Sequence, residues 1–155
     1  MNKLFLSVLL QLFANICWGS TLTFVGIDVG GTETWMITQP IDHSSPDHGT
    51  FQQKIYINRR FAKDASAPVL VETNGEWKMS SDFKPAYIAI ARKDQAILVG
   101  LEHRYYGDSL PYKELTNENL KYLTTDQALT DFKNTIETLK SEQAMTGKWV
   151  AYGCS

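Results

Sequence analysis

The sequence predicts an α/β domain built on a mostly parallel sheet with flanking helices. Three short runs carry that prediction: residues 68–72 (PVLVE), 96–101 (AILVGL) and 148–152 (KWVAY). Each has the β-branched and aliphatic density of a strand buried on both faces. Helical periodicity fills the space between each pair. The order strand–helix–strand–helix–strand calls for right-handed crossovers and parallel pairing. A length of 155 residues is enough for one domain with a real core.

The elements follow in chain order. Residues 1–19 have a basic start at Lys3, a nearly continuous apolar run over 4–16, and small residues spaced for cleavage after Gly19. That is the plan of a secretory signal peptide. The apolar run falls short of the roughly 20 residues needed to span a bilayer, so no stable membrane anchor is expected. The expected mature domain is 20–155, and it retains one cysteine, Cys154. Residues 21–27 read as a short strand or extended arm. Residues 35–39 read as a strand ended by Pro40, 42–49 as a turn, and 51–57 (FQQKIYI) as a further strand. These early strands are expected to form an antiparallel edge on the same sheet.

After a turn at 73–76, residues 84–93 read as a helix with Tyr87, Ile88 and Ala91 on its inner side. A long turn-rich loop covers 102–123. Thr124 and Gln127 then offer a capping box, Thr124 capping and Gln127 reaching back. In the helix that follows, Ala128, Leu129, Phe132, Ile136 and Leu139 share one stripe, with Asp, Lys and Glu expected opposite.

The net charge of −2 gives no electrostatic argument for a nucleic-acid or anionic-membrane partner. No repeat or low-complexity tract is visible. Nothing calls for a cofactor or a metal.

Three stretches have chemical content. GIDVGGTET, residues 26–34, has the look of a phosphate-binding glycine hairpin, but it reads more simply as a Gly-Gly turn between two short strands. LVGLEHRYYGDSLP, residues 98–111, is a buried strand that ends in Glu102, His103 and Arg104, then runs through Tyr105, Tyr106 and Gly107. His103 invites a catalytic role, but a structural or substrate-side role suits its position better. The third stretch, Gly153-Cys154-Ser155, directly follows the last strand. A strained strand-to-helix turn there lifts a serine above the sheet.

Taken together these residues resemble the serine peptidases of the prolyl carboxypeptidase and dipeptidyl peptidase II family, which includes thymus-specific serine protease. WMITQPIDH, GTFQQKIYIN, PVLVETNGE, LVGLEHRYYGDSLP, LTNENLKYLTTDQALTDF and KWVAYGCS carry the resemblance. The secreted bacterial tripeptidyl aminopeptidases, which share the QPIDH and GTFQQ opening, are the nearest alternative. The resemblance implies an α/β-hydrolase core, with this chain its N-terminal part up to the nucleophile elbow. It implies a Ser-Asp-His triad acting on peptides next to proline. Ser155 matches the nucleophile; the family's Asp and His fall beyond residue 155. Glu102 to Gly107 match the family's structural loop. Asn74, Gly75 and Glu76 match the oxyanion and substrate loop, with the order of Gly and Glu changed. Two departures stand out: that order, and Gly-Cys-Ser in place of smaller residues at the elbow.

Two expectations follow from the resemblance. The 155-residue chain alone is expected to be inactive, because the triad base and its orienting acid are missing. Its sheet is expected to stop at residues 148–152, leaving them as an open apolar edge. The alternative is a non-catalytic secreted binding or regulatory relative of the same fold. An exported compartment, extracellular, periplasmic or lysosomal, is expected in either case.

Overall fold

The computed structural model describes residues 20–153. The proposed signal peptide, Cys154 and Ser155 lie outside these. The chain runs through β1 (Leu22–Ile27), β2 (Thr32–Pro40), β3 (Thr50–Asn58), β4 (Val69–Thr73), α1 (Pro85–Asp94), β5 (Ile97–Leu101), α2 (Thr125–Glu142) and β6 (Trp149–Gly153). The strands form one mixed sheet in the order β1-β2-β3-β5-β4-β6. β4 is parallel to both β5 and β6. The pairs β1–β2, β2–β3 and β3–β5 are antiparallel. The predicted parallel strands and antiparallel edge are both present, but with three antiparallel pairs against two parallel ones the described sheet is mixed rather than mostly parallel, because β5 pairs with β3 antiparallel on its other side. β6 is the outer strand on its side among the described residues.

Alternation along the central strands builds a core on each face. Val69 and Val71 of β4 join Ile37, Ile55, Ile57, Val99 and Leu139 on the α2 face. Leu70 of the same strand joins Tyr56, Phe83, Ala91 and Leu98 on the α1 face. That two-sided burial explains why β4 and β5 read as continuous apolar runs. Each fully buried aliphatic side chain contributes about 1.5–3 kcal/mol relative to exposure.

Helix α1 opens with Pro85, whose missing N–H is no loss in a first turn. It closes on Gln95 in the left-handed region (φ 52°). Ala91 is buried and Tyr87 and Ile88 pack beside it, as the periodicity predicts. The 26–34 stretch is a turn: the Asp28 carboxylate accepts the Gly30 and Thr32 N–H groups at 2.8 and 2.9 Å. Those are N–H groups that a phosphate loop needs free.

Helix α2 corrects two expectations. Its buried positions are Asp131, Thr135, Thr138 and Leu139, whereas Leu129 is exposed and Phe132 and Ile136 are half-buried. The helix is rotated so that a polar stripe faces inward and an aspartate expected in solvent is buried. The capping box is half made. Thr124 Oγ1 accepts the Gln127 N–H at 3.3 Å, but the Gln127 side chain turns inward, accepting from the His43 N–H at 2.9 Å. Asp131 is drawn inward by the buried guanidinium of Arg104, and the Gln127 side chain by the His43 N–H and the Asp42 carboxylate. Among the described residues, no helix is long and apolar enough to cross a membrane.

Candidate active site

The carboxyl ends of β5, β4 and β6 lie side by side, with Thr73 in register with both Leu101 and Gly153. Loops leaving that edge of a parallel sheet are where α/β folds place ligand sites. The Asn74–Glu76 turn and the loop from Glu102 therefore leave the sheet beside the end of β6 at Gly153. Gly153 is required by the close approach of β4: a Cβ there would lie 2.6 Å from Thr73 Oγ1. The placement of Ser155 itself lies outside the described residues.

The Asn74–Glu76 turn is tight. The Asn74 N–H donates to the Leu101 carbonyl at 3.2 Å, and Asn74 Nδ2 donates to the Trp77 carbonyl at 2.6 Å. The Trp77 ring lies over Gly75, where a Cβ would come within 2.5 Å of it. Among the described residues no acceptor takes the N–H of Gly75 or Glu76. Asn74 is thus a brace rather than a donor, and the free N–H groups are those of its two neighbours.

The 102–109 loop is organised by two fully buried charges, Glu102 and Arg104. One Glu102 oxygen accepts the Met79 N–H at 3.0 Å. The other accepts the Asp108 N–H at 2.9 Å and the Ser109 hydroxyl at 2.7 Å. Gly107 has φ +57°, and a Cβ there would sit 1.9 Å from Glu102 Oε1. The glycine is needed for both reasons. Tyr105 also takes a left-handed conformation (φ 71°), held by its N–H on the Ser109 carbonyl at 2.8 Å and its hydroxyl on the Asn119 carbonyl.

Arg104 turns the other way. Its Nε and Nη2 donate to the two Asp131 oxygens at 2.7 and 2.8 Å. Its Nη1 donates to the Ile41 and Tyr122 carbonyls at 3.0 Å each, and Nη2 reaches the Pro40 carbonyl at 3.2 Å. Every donor direction of the guanidinium is used, as burial of such a charge requires. His43 Nε2 lies 2.7 Å from Asp131 Oδ1 and completes the carboxylate's shell. Asp42, beside it, accepts from the Ser44 hydroxyl and N–H at 2.6 and 2.9 Å and from Gln127 Nε2 at 2.8 Å. Those bonds, the Ser44 hydroxyl first, pull the Asp42 carboxyl down to about 2.

His103 and Tyr106 stand outside this buried frame. They pack edge to face, ring centroids 5.4 Å apart. His103 Nδ1 is 2.7 Å from the Arg104 carbonyl. A carbonyl can only accept, so Nδ1 carries the proton and Nε2 faces outward. Both side chains line a cleft of about 370 Å³, together with Thr73, Asn74 and Glu76 and an apolar wall from Leu101, Leu123, Ala128, Leu129 and Phe132. The structure therefore brings His103 and Tyr106 to the Asn74–Glu76 turn and leaves Glu102, Arg104 and Tyr105 as framework. Asp131, His43 and Gln127 complete that framework; Asp131 and His43 were not singled out in the sequence, and Gln127 was read only as a capping residue. A signal was there: Gln127, Asp131, Thr135 and Thr138 form a polar stripe at helical spacing. No group of three or more residues suited to hold a metal occurs among the described residues.

The comparisons identify the family. The family model described as Serine carboxypeptidase S28 matches residues 39–155. The chain belongs to that family, and its family chemistry is that of a serine-type peptidase. An Arabidopsis thaliana relative named "Probable serine protease EDA2" is 41% identical over 100 residues, 64% of this chain and 20% of that protein. The Bos taurus "Lysosomal Pro-X carboxypeptidase" is 35% identical over 112 residues, 67% of this chain and 22% of that protein. An Arthroderma benhamiae relative named "Probable extracellular serine carboxypeptidase" is 37% identical over 103 residues, 59% of this chain and 14% of that protein. The chain spans about a fifth of the length of the curated relatives it matches.

Proposed function

We propose that this chain is the nucleophile-bearing N-terminal part of an exported serine exopeptidase that cleaves peptides next to proline through an acyl-enzyme. Residues 1–19 act as its signal peptide and 20–155 as the first part of an α/β-hydrolase peptidase domain. The strand order and directions support that domain assignment. The observation that carries the reading is the register of β6: Gly153 ends beside Thr73, at the strand end from which the Asn74–Glu76 turn leaves.

In this reading Ser155 attacks the peptide carbonyl after losing its proton to a histidine base. The negative charge that develops on the carbonyl oxygen is met by the N–H groups of Gly75 or Glu76 and by the N–H of the residue after Ser155. His103 and Tyr106 lie on the substrate side of the cleft. The names of the bovine and fungal relatives, lysosomal and extracellular, support export, and the name of the bovine one supports proline selection.

The 155-residue chain by itself is predicted to be inactive. His43 is engaged by Asp131, and the Nδ1 proton of His103 is held by a backbone carbonyl rather than by an orienting acid. The test is hydrolysis of a proline-containing peptide ester by the intact reading frame and by the 155-residue chain. Turnover by the first, lost in Ser155→Ala with the fold retained, supports the proposal. Turnover that survives Ser155→Ala overturns it. No turnover from the intact reading frame favours the non-catalytic relative.

A further inference from the structure

We propose that the cleft beside the Asn74–Glu76 turn is a subsite for the primary ammonium group of a substrate peptide, with the Glu76 carboxylate as its counter-charge. This deepens the peptidase reading and rests on it for the ligand being a peptide. The other acids at this edge of the sheet are already engaged. Glu102 accepts from Met79, Asp108 and Ser109, Asp131 holds Arg104, and Asp108 meets Lys54 and Lys78. Glu76 is exposed and lines the cleft, with no cation in ion-pair range among the described residues.

Gln53 supplies an independent observation. It is 1% exposed and lines the same cleft. Its Nε2 donates to the Glu102 carbonyl at 2.8 Å and reaches Asp131 Oδ2 at 3.4 Å. Both partners only accept, which fixes the amide orientation and leaves Oε1 as the other end. That oxygen is buried without a hydrogen-bond partner among the described residues. A buried acceptor left unpaired is destabilising, so it calls for a donor. His103 adds a third acceptor: with Nδ1 protonated against the Arg104 carbonyl, Nε2 offers a lone pair. An ammonium group carries three donors and no acceptor, and a carboxylate, an amide oxygen and an imidazole nitrogen satisfy it. The same set repels an anion. The positive groups bordering the cleft do not reverse this. The Arg104 charge is met by Asp131, and the N-terminus of α2 carries its own acid, Asp126, and its Thr124 cap. The apolar wall that includes Leu129 and Phe132 takes an aliphatic group beside the ammonium. A peptide's amino terminus combines the two, and so does a lysine side chain.

Calorimetry on the Ser155→Ala form of the intact reading frame reads binding without turnover. The probes are the amidated tripeptide Leu-Pro-Leu, its N-acetyl form, and amidated N-acetyl-Lys-Pro-Leu. The free amino terminus is expected to bind at least about tenfold tighter than the acetylated one. Glu76→Gln keeps the backbone N–H and the side-chain size; it should leave the urea midpoint unchanged and remove most of that preference. A gain of the same size for the lysine probe, also lost in Glu76→Gln, supports the subsite with a lysine side chain as the source. Equal affinity for all three probes overturns the proposal. So does a preference that survives Glu76→Gln, or binding of none of the three. The peptidase reading is decided separately, by turnover in the unmutated frame and its loss in Ser155→Ala.

Discussion

Arg104 and Asp131 decide more of this structure than any apolar residue. Both are fully buried, and their bidentate contact ties the loop after β5 to helix α2 and to the carbonyls of Pro40, Ile41 and Tyr122. Breaking such a pair from one side leaves an uncompensated charge. Asp131→Ala is therefore expected to cost about 3–5 kcal/mol, read from urea unfolding. Replacing both partners with apolar residues of similar volume should cost much less, and an equal loss would mean the pair contributes through packing alone. Gly107→Ala meets both a left-handed φ and the Glu102 carboxylate, so it should cost at least about 1–3 kcal/mol. Of the carboxyls lowered on folding, Asp42 is held furthest down. Its folded-state value is lowered from 3.8 to about 2, so its stabilisation is full above pH 4 and is lost as pH falls toward 2. Asp42→Asn should flatten that part of the stability profile; an unchanged slope would place the acid sensitivity elsewhere.

At the scale of elements, the strands were legible and the face of α2 was not. Strand periodicity is set by local alternation and two-sided burial, which residues such as Val69, Leu70 and Val71 display directly. The face of α2 is set by a distant cation. Asp131 reads as a surface acid until Arg104 is brought against it, and Leu129 reads as core until the cleft appears beside it, whereas Phe132 does pack against the core at the cleft's edge. The same division runs through the site. Glu102, Arg104 and Gly107 were legible as one loop from their order in the chain. The partners that fix them, Met79 and Asp131, come from other elements, and only the polar stripe of α2 hints at the second. Another long-range pair shapes β4 and β6. Glu72 and Tyr152 face each other in register, with oxygens 3.5 Å apart. Burial raises the Glu72 carboxyl above its ordinary value, and the Tyr152 hydroxyl is raised as well, again mainly by burial. A carboxyl raised on folding favours its protonated form, so this pair weakens as pH climbs through and above the ordinary glutamate range. Glu72→Gln should remove that loss, raising stability at pH 7 relative to pH 4. A variant that is less stable at pH 7 would show that the charged carboxylate is the form the fold needs, through Lys84 at 3.9 Å.

At the scale of the whole molecule, coverage of the sheet is uneven. β4 and β5 are buried on both faces between α1 and α2. β6 is not: Val150 is 53% exposed, Ala151 is exposed, and Trp149 and Tyr152 are only half-buried. Among the described residues its backbone also pairs with a single neighbour, β4. Local opening is cheapest where few apolar contacts are lost and one edge of backbone is already in solvent. β6 is the strand that leads toward the proposed nucleophile, so a lightly protected strand and the proposed site coincide. Native-state hydrogen exchange separates this from a uniformly stable sheet. Amides of β6 should exchange at least about 100-fold faster than those of β5. The gap should persist in mild urea, because β6 opens without the rest. Equal protection in the two strands would mean that β6 unfolds only with the whole domain, and that its pairing with β4 compensates for the missing cover.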